Sequence, residues 1–457
     1  MAKENVVSKI IIEGLLVLSS PLLIGDGLGE ANKENEKDIH VLKNEGGLPF
    51  IPGTSITGVL REYIKKEYPK YEIDLFGDMK TIQSSIIFDD IVLKNAKITY
   101  RDGVSIDHYT GSGIKGAKYD YEVVDTGAAG QMKMEITLRG YHLENPKDIK
   151  SKIREDIIDS ILLIRDKLKD GIMLGAMTTK GFGRALLKDS TNNFYDFSNK
   201  ADVIAYLNMK KSSNNKLDRN SNLPLKSKNT FSVRAEFAIK GSLIVRDYEA
   251  NEEKTKDGNP ISAIMKKSNG QYIIPGTSIK GVLRHQAEEI FINLKKDLTK
   301  LDDLMGNSKK CGEDEKHKSR LYVDEVKIID GAIMAIPHTR NKIDRFTSGT
   351  MDTALFTTKP LWQMQSDQKA LEINFIIQDA TESEAGLAIF LLRDIWQGKV
   401  AFGGEKGVGR GTLKGISANI EYQGKTWKLN EYGEVTKGNK EELNKFAKAF
   451  VDLGAVI

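Results

Sequence analysis

LPFIPGTSITGVLREYIKKEY, starting at Leu48, returns as QYIIPGTSIKGVLRHQAEEIF, starting at Gln271. Within both, IPGTSI-x-GVLR differs only at x, which is Thr57 in the first and Lys280 in the second. Four further pairs follow in the same order. LFGD at Leu75 matches LMGN at Leu304, and SSIIFDDIVLKNAKI from Ser84 matches SRLYVDEVKIIDGAI from Ser319. SIDHYTG from Ser105 matches KIDRFTS from Lys342, and LGAMTTKGFGRALL from Leu174 matches FGGEKGVGRGTLKG from Phe402. Chance does not order five blocks twice, so the chain is an internal duplication. Its period of about 220 residues is far longer than a solenoid unit, so each copy is a domain.

The boundary lies in DSTNNFYDFSNKADVIAYLNMKKSSNNKLDRNSNLPLKSKN, rich in Asn, Ser and Lys, with one short apolar stretch that fits a small helix. Residues 1–188 then form the first domain, 189–230 a linker and 231–457 the second domain. Each copy opens on a strand, VVSKIIIEGLLVLSS or FSVRAEFAIKGSLIV, whose apolar residues alternate or are β-branched. A helix follows PGTS, with Thr54 or Ser55, and Thr277 or Ser278, as expected N-caps. Strands around 86–92 and 321–328, a second helix (IREDIIDSILLIRDKLKDG or ESEAGLAIFLLRDIWQGK) and a Gly-rich hairpin complete each copy. This order gives the fold class α+β: two tandem ferredoxin-like domains with insertions.

Composition narrows the function classes without naming one. The 457 residues include 40% apolar and 29% charged side chains, ordinary for a globular protein. No run of eighteen apolar residues is present, and the N-terminus lacks the apolar core of a signal peptide, so no membrane partner and a cytoplasmic setting are expected. One cysteine, Cys311, excludes an internal disulfide framework. A net charge of +4 is too mild to argue for nucleic acid. No Walker loop, HExxH or CxxC occurs. Cys311 and His317 read better as part of a solvated charged loop than as half a zinc site.

Four elements carry candidate chemistry. A helix start presents free N–H groups and partial positive charge to a phosphate. Gly53, Thr54, Ser55 and Arg61, and Gly276, Thr277, Ser278, Lys280 and Arg284, are the candidates there; a plain helix cap is the competing reading. The hairpins share Lys-Gly-x-Gly-Arg, giving Lys180, Gly181, Gly183 and Arg184 beside Lys406, Gly407, Gly409 and Arg410. Glycine amides close on phosphates and cations balance them, against the alternative of a tight turn. The long polar segments after the central strands hold His108, Tyr109, Arg340, Arg345, Phe346 and Trp362, suited to stacking on bases or pairing with phosphates, against the alternative of a solvated loop. The stretches before PGTS hold Asp26, Asp38 and His40, then Asp247 and Asp257. A carboxylate near an RNA backbone can bind a cation or orient a 2′-hydroxyl; on composition alone these are solvated loop acids.

These blocks in this order resemble the RAMP superfamily of CRISPR-associated proteins, over everything but the linker and the C-terminal tail. The likeness is strongest to the repeating backbone subunits of type III effector complexes, and the tandem arrangement resembles the type III-D variants. The resemblance implies RRM-like palms, each with an inserted β-hairpin thumb at about 101–131 and 338–364. It implies guide RNA, target RNA and other subunits of the complex as partners. In slicing members an aspartate before PGTS cuts target RNA with a divalent metal, which implies Asp38 as catalytic residue and ligand of Mg²⁺ or Mn²⁺, with Asp26 as fallback. In the second copy the aligned position falls near Ile261, and Asp257 is the nearest acid.

Two other readings remain: a non-catalytic RNA-binding backbone, and an endonuclease that processes CRISPR precursor RNA. The second would need a histidine-centred site, and His40, His108 and His338 are scattered along the chain.

Overall fold

The computed structural model describes residues 4–27, 39–78, 80–107, 112–148, 151–212, 216–225, 229–247, 253–255, 260–307, 317–352 and 354–454. The chain divides into two compact units. The first comprises Met1–Arg101, Asp120–Thr178 and Phe182–Lys226; the second comprises Asp102–Tyr119, Thr179–Gly181 and Ser227–Ile457. Each has its own hydrophobic core.

In the first unit, β1 (Val6–Leu18) turns Ile10, Ile12, Leu16 and Leu18 inward at a period of two, as the alternation requires. Then come α1 (Gly53–Glu67), β2 (Ile86–Phe88), β3 (Ile98–Ile106), β4 (Gly113–Val124) and β5 (Ala129–Arg139), of which the Asp102–Tyr119 part of β3 and β4 is counted with the second unit. They are followed by α2 (Glu155–Asp170), β6 (Ile172–Met173), β7 (Arg184–Asp196) and α3 (Lys200–Leu207). The main sheet runs β2-β5-β1-β7-β6, and β3 pairs with β4 in a separate two-stranded sheet. On α1, Ile56, Leu60 and Ile64 recur every four residues and are buried. On α2 both faces carry apolar residues, and Ile157 through Ile164 are buried throughout.

The second unit repeats the plan. It contains β8 (Phe231–Ile239), β9 (Ile261–Ile264), α4 (Gly276–Asn293), β10 (Leu321–Val323), β11 (His338–Arg340) and β12 (Phe356–Lys359). β13 (Leu371–Ile377), α5 (Glu382–Trp396), β14 (Leu413–Tyr422), β15 (Lys425–Leu429), β16 (Val435–Lys437) and α6 (Lys440–Val451) follow. The sheet runs β10-β13-β8-β14-β15-β16, and β9-β12-β11 form a small separate sheet. Both units are thus mixed α+β, and the four central strands share one order. The additions after β14 belong to the second unit alone: α6 covers α5 so closely that a Cβ on Gly386 would stand 2.1 Å from the Phe446 carbonyl oxygen.

Residues beyond 188 are built into the first unit. β7 continues to Asp196, α3 is capped by Asn199, Leu217 joins the core, and Arg219 pairs with Asp159 and Glu155. Among the described residues no helix is long and apolar enough to cross a membrane.

Candidate nucleic-acid interface

The two PGTS helices start two or three residues earlier than a Thr or Ser cap would place them. The cap positions are Pro52 and Pro275, in extended conformation, with no side-chain cap. This corrects the expectation for Thr54, Ser55, Thr277 and Ser278, all of which lie inside the first turn. Proline closes the preceding strand, and its carbonyl accepts the N–H of Ser55 (3.0 Å) or of Ser278 (2.9 Å). The Gly53 N–H donates to the Asp90 carboxylate at 2.8 Å, so that donor is already occupied. A Cβ on Gly53 would lie 2.1 Å from the Phe88 carbonyl oxygen, and packing against the end of β2 therefore requires glycine there. Gly276 is buried like Gly53. Thr54 is exposed; Ser55, Thr277 and Ser278 are half-buried.

The arginines ending the repeat have internal partners. Arg61 donates to Glu72 Oε1 (2.9 Å) and to the Gly77 carbonyl (3.3 Å). Arg284 donates to Glu288 Oε1 (2.9 Å) and to the Gly306 carbonyl (2.6 Å), and pairs with Asp302. Gly77 and Gly306 are the glycines of LFG and LMG. Two of the repeated blocks are therefore coupled by one clamp in each unit. Charge-assisted bonds of this kind contribute roughly 1.5–3 kcal/mol each. Lys280 likewise turns inward: it is buried, and its Nζ donates to Ser319 Oγ (2.7 Å) and to the Leu321 carbonyl (2.9 Å). Burial, reinforced by nearby cations such as Arg284, lowers its pKa to about 7. Lys280 holds the helix start against β10, and this corrects its reading as a countercharge facing a ligand.

The glycine hairpins match in backbone but not in the register that Lys-Gly-x-Gly-Arg suggests. Leu174 N–H bonds Gly183 O (2.8 Å), and Phe402 N–H bonds Gly411 O (2.9 Å). Gly183 N–H goes to Pro21 O and Gly411 N–H to Ser242 O. Positive φ angles then pair off: Gly175 with Gly403 (73° and 80°), Met177 with Glu405 (56° and 58°), Gly181 with Gly409 (84° and 82°), and Gly183 with Gly411 (82° and 87°). The Lys-Gly-x-Gly-Arg match is thus two residues out of step, whereas the block pairing of Leu174 with Phe402 is in step. Phe182, not Arg184, is the counterpart of Arg410, and both are buried. A Cβ on Gly183 would sit 1.9 Å from Leu174 O, and one on Gly411 2.0 Å from Phe402 O. These two glycines are set by backbone crowding, and their amides are spent within the fold. Lys406, Gly407, Gly409 and Arg184 are exposed, Gly181 is buried, and burial lowers the pKa of the half-buried Lys180.

Before PGTS the two units again share a path. Asp26 N–H bonds His40 O and Asp247 N–H bonds Ile264 O; Leu42 N–H bonds Ile24 O and Lys266 N–H bonds Val245 O. Asp26 and Asp247 are equivalent, as are His40 and Ile264. In sequence, Asp38 lies two residues before His40 as Ser262 lies two before Ile264, and the Ser262 Oγ bonds the Thr357 carbonyl. Asp38, Asp257, His108, Tyr109 and Cys311 lie outside the described residues. In the first unit Glu122 gathers the His40 ring (3.5 Å), Val41 N–H (3.1 Å) and Lys43 Nζ (3.3 Å). Burial opposes its ionisation, but these partners prevail and hold its pKa below the ordinary glutamate value. Asp247 pairs with Lys266 at 3.2 Å. Among the described residues no group of three or more His, Cys, Asp or Glu could hold a metal ion, so they do not by themselves fit Mg²⁺ or Mn²⁺.

The small β9-β12-β11 sheet of the second unit brings cations together. Arg340 stacks on Phe356 with its guanidinium carbon 4.8 Å from the ring centroid. Arg410 meets His338 Nδ1 (3.0 Å) and Thr358 Oγ1 (3.3 Å). The half-buried Trp362 lies edge-on to His338. Between β11 and β12, Asp344 Oδ1 accepts from Phe346 N–H and Thr347 N–H, which presents Phe346 fully to solvent beside the exposed Arg345. Glu122, Arg246 and Glu405 were not singled out from sequence. Glu122 meets Lys43 across 79 residues and Arg246 meets Glu405 across 159, and no local pattern announces either pair.

The family model of the RAMP superfamily matches residues 15–186 and again 239–414. The chain belongs to the RAMP superfamily. It holds two RAMP regions in tandem, one for each set of repeated blocks. This tandem RAMP protein is also similar to the CRISPR system Cms endoribonuclease Csm3 of Methanocaldococcus jannaschii: the two are 26% identical over 209 residues, covering 40% of this chain and 79% of that protein.

Proposed function

We propose that this tandem RAMP protein is a guide-RNA-binding backbone subunit of a type III CRISPR effector complex. In this reading both units are ferredoxin-like, RRM-like palms and the inserted strands are thumbs. Successive stretches of guide RNA lie along them, target RNA pairs with the guide, and neighbouring subunits of the complex extend the row. The observation that supports the proposal is the double family match on two units with one strand order, each unit being read as one seat for a polyanion. Base pairing supplies sequence choice, while the protein reads backbone and shape. Thr54, Ser55, Thr277 and Ser278 at the helix starts, Lys406, Gly407 and Gly409 on the exposed loop, and Arg345 and Phe346 on the hairpin are the accessible candidates.

Cleavage of target RNA is assigned to the first unit, through Asp38. Its support is asymmetry: where the first unit carries Asp38, His40 and Glu122, the second has Ser262, Ile264 and Lys359, and an acid, a histidine and the carboxylate that holds it are replaced together. A divalent cation, Mg²⁺ or Mn²⁺, at Asp38 belongs to this proposal, and the described residues alone do not supply its site. Such an ion would polarise the reacting oxygens. Asp26 is the alternative acid in the same stretch.

The test is target-RNA cleavage by the assembled complex. Asp38→Ala is expected to remove one cut of the pattern while guide RNA stays bound, and EDTA to remove the same cut. An unchanged pattern in Asp38→Ala removes Asp38 and passes the test to Asp26→Ala; a pattern unchanged in both leaves the non-catalytic backbone as the function. Cleavage of repeat RNA by the isolated chain without metal would instead establish precursor processing.

A further inference from the structure

Three arginines of the second unit converge on one carboxylate. Arg246 donates to Glu405 Oε1 at 3.2 Å, while Arg340 and Arg410 approach Oε2 at 2.6 and 3.2 Å. The approaches to Oε2 are ion pairs whose angles make no hydrogen bond, and the buried Arg340 Nε has no hydrogen-bond partner. Three positive charges face one negative charge, leaving a local excess of two. Arg410 is only 3% exposed, so much of that excess is poorly hydrated, and Arg246, at 42% exposed, opens the cluster to solvent. Misaligned guanidiniums with an unused donor are suited to an anion that offers more than one oxygen.

The first unit shows that the backbone does not require this cluster. The same left-handed turn is there, with Met177 at the place of Glu405, Gly25 at the place of Arg246 and Phe182 at the place of Arg410. Phe182 packs on Tyr121 where Arg410 bonds Thr358. The charges were therefore installed as a set on a scaffold that works without them, and structural need does not explain the carboxylate.

We propose that Arg246, Arg340 and Arg410 form a seat for a single RNA phosphodiester, and that Glu405 is its built-in counter-ion, which occupies the seat when RNA is absent and weakens the second unit's grip. The inference rests on the RNA-binding reading above and adds a regulated subsite to it. A phosphodiester oxygen takes over the guanidinium contacts of Glu405, and the carboxylate opposes the exchange by like-charge repulsion. The seat thus releases a strand more readily than three arginines alone would.

The experiment is equilibrium binding of a fluorescent single-stranded RNA to the full-length chain over a range of salt. Glu405→Gln is expected to tighten binding about three- to tenfold at low salt. It should also steepen the dependence of log affinity on log salt by about 0.7, one further phosphate contact on a single strand. Glu405→Asp keeps the charge and should keep wild-type affinity. Arg246→Ala, on the exposed edge, should weaken binding and flatten the slope by about 0.7. Melting curves of each variant report folding separately. Glu405→Gln binding no tighter than wild type, or Arg246→Ala leaving the slope unchanged, overturns the seat. No RNA binding by wild type and variants alike overturns the RNA-binding reading itself, which is a different result.

Discussion

The stretch before PGTS and the glycine hairpin follow one backbone path in both units, yet the side chains at paired positions differ in chemistry. His40 faces Ile264 in this equivalence, Leu42 faces Lys266, Glu122 faces Lys359, Met177 faces Glu405 and Phe182 faces Arg410. The glycines do not diverge: Gly175, Gly181 and Gly183 have counterparts in Gly403, Gly409 and Gly411, with φ angles agreeing within a few degrees. Duplication has kept the glycines that carry the left-handed backbone and freed the side chains on either side of them. Each unit has a carboxylate with cationic partners, but Glu122 sits on β4 and Glu405 on the glycine loop. The units have therefore come to hold charge at different points of one scaffold.

The most damaging way to break this comparison is to add a methyl group to the paired glycines. Gly183→Ala and Gly411→Ala each force a Cβ onto a carbonyl oxygen at about 2 Å from a left-handed backbone. Each is expected to cost about 3 kcal/mol or more. Gly407→Ala has open space and should change stability by no more than about 0.5 kcal/mol. The chain's tryptophans, Trp362, Trp396 and Trp427, all lie in the second unit, so denaturation followed by their fluorescence sees Gly411→Ala and is blind to the first unit, which circular dichroism reports. If Gly407→Ala proved as costly as Gly181→Ala, its partner in the Lys-Gly-x-Gly-Arg register, that register would be right and the equivalence drawn here wrong.

A second contrast is in pH. Burial lowers the pKa of Lys280 to about 7 against an ordinary 10.5. Between those values the unfolded chain binds more protons than the folded one, so stability of the second unit rises with pH from about 7 to about 10.5. Below that window the cost of the buried charge is fully present. Lys280→Met should flatten the rise seen by tryptophan fluorescence. In the first unit, burial lowers the pKa of His142. Here too the unfolded state takes up protons first, and stability is lost as pH falls through the region below the ordinary value of 6.5. The first unit is thus weakened at mildly acid pH, and His142→Gln should remove that dependence from the circular-dichroism transition.

The duplication, the α+β class and the element order were legible because they rest on local periodicity: alternation in Val6–Leu18, and four-residue spacing in Ile56, Leu60 and Ile64. The helix cap was misplaced because a proline took the position where a Thr or Ser usually bonds the first turn. The hairpin register was misread because identical letters outweighed φ angles that a sequence does not display. Lys280 and the repeat arginines look like surface cations in sequence, and only the strand ends and the LFG and LMG glycines beside them show that they point inward. The Glu405 cluster joins Arg246 to a partner 159 residues away, a distance no periodicity spans.

The smallest expected effect comes from the one glycine in each repeat that the fold does not explain. Gly58 and Gly281 sit inside α1 and α4, exposed, and a Cβ at either would meet nothing within 4 Å. Glycine inside a helix costs about 1 kcal/mol relative to alanine, through backbone entropy. Gly58→Ala and Gly281→Ala should therefore each stabilise their unit by about 0.5–1 kcal/mol, with tryptophan fluorescence reporting only the second. Contrast with Gly53, five residues earlier in the same motif, makes the test sharp: there alanine meets the Phe88 carbonyl oxygen and should destabilise. If RNA held at the helix starts continues along this helix face, the stabilising methyls will also weaken its binding, since a backbone left bare by glycine admits a closer strand. Stability and affinity would then move in opposite directions, which no purely architectural role for these glycines produces; a gain in stability with unchanged affinity would remove the helix face from the RNA path.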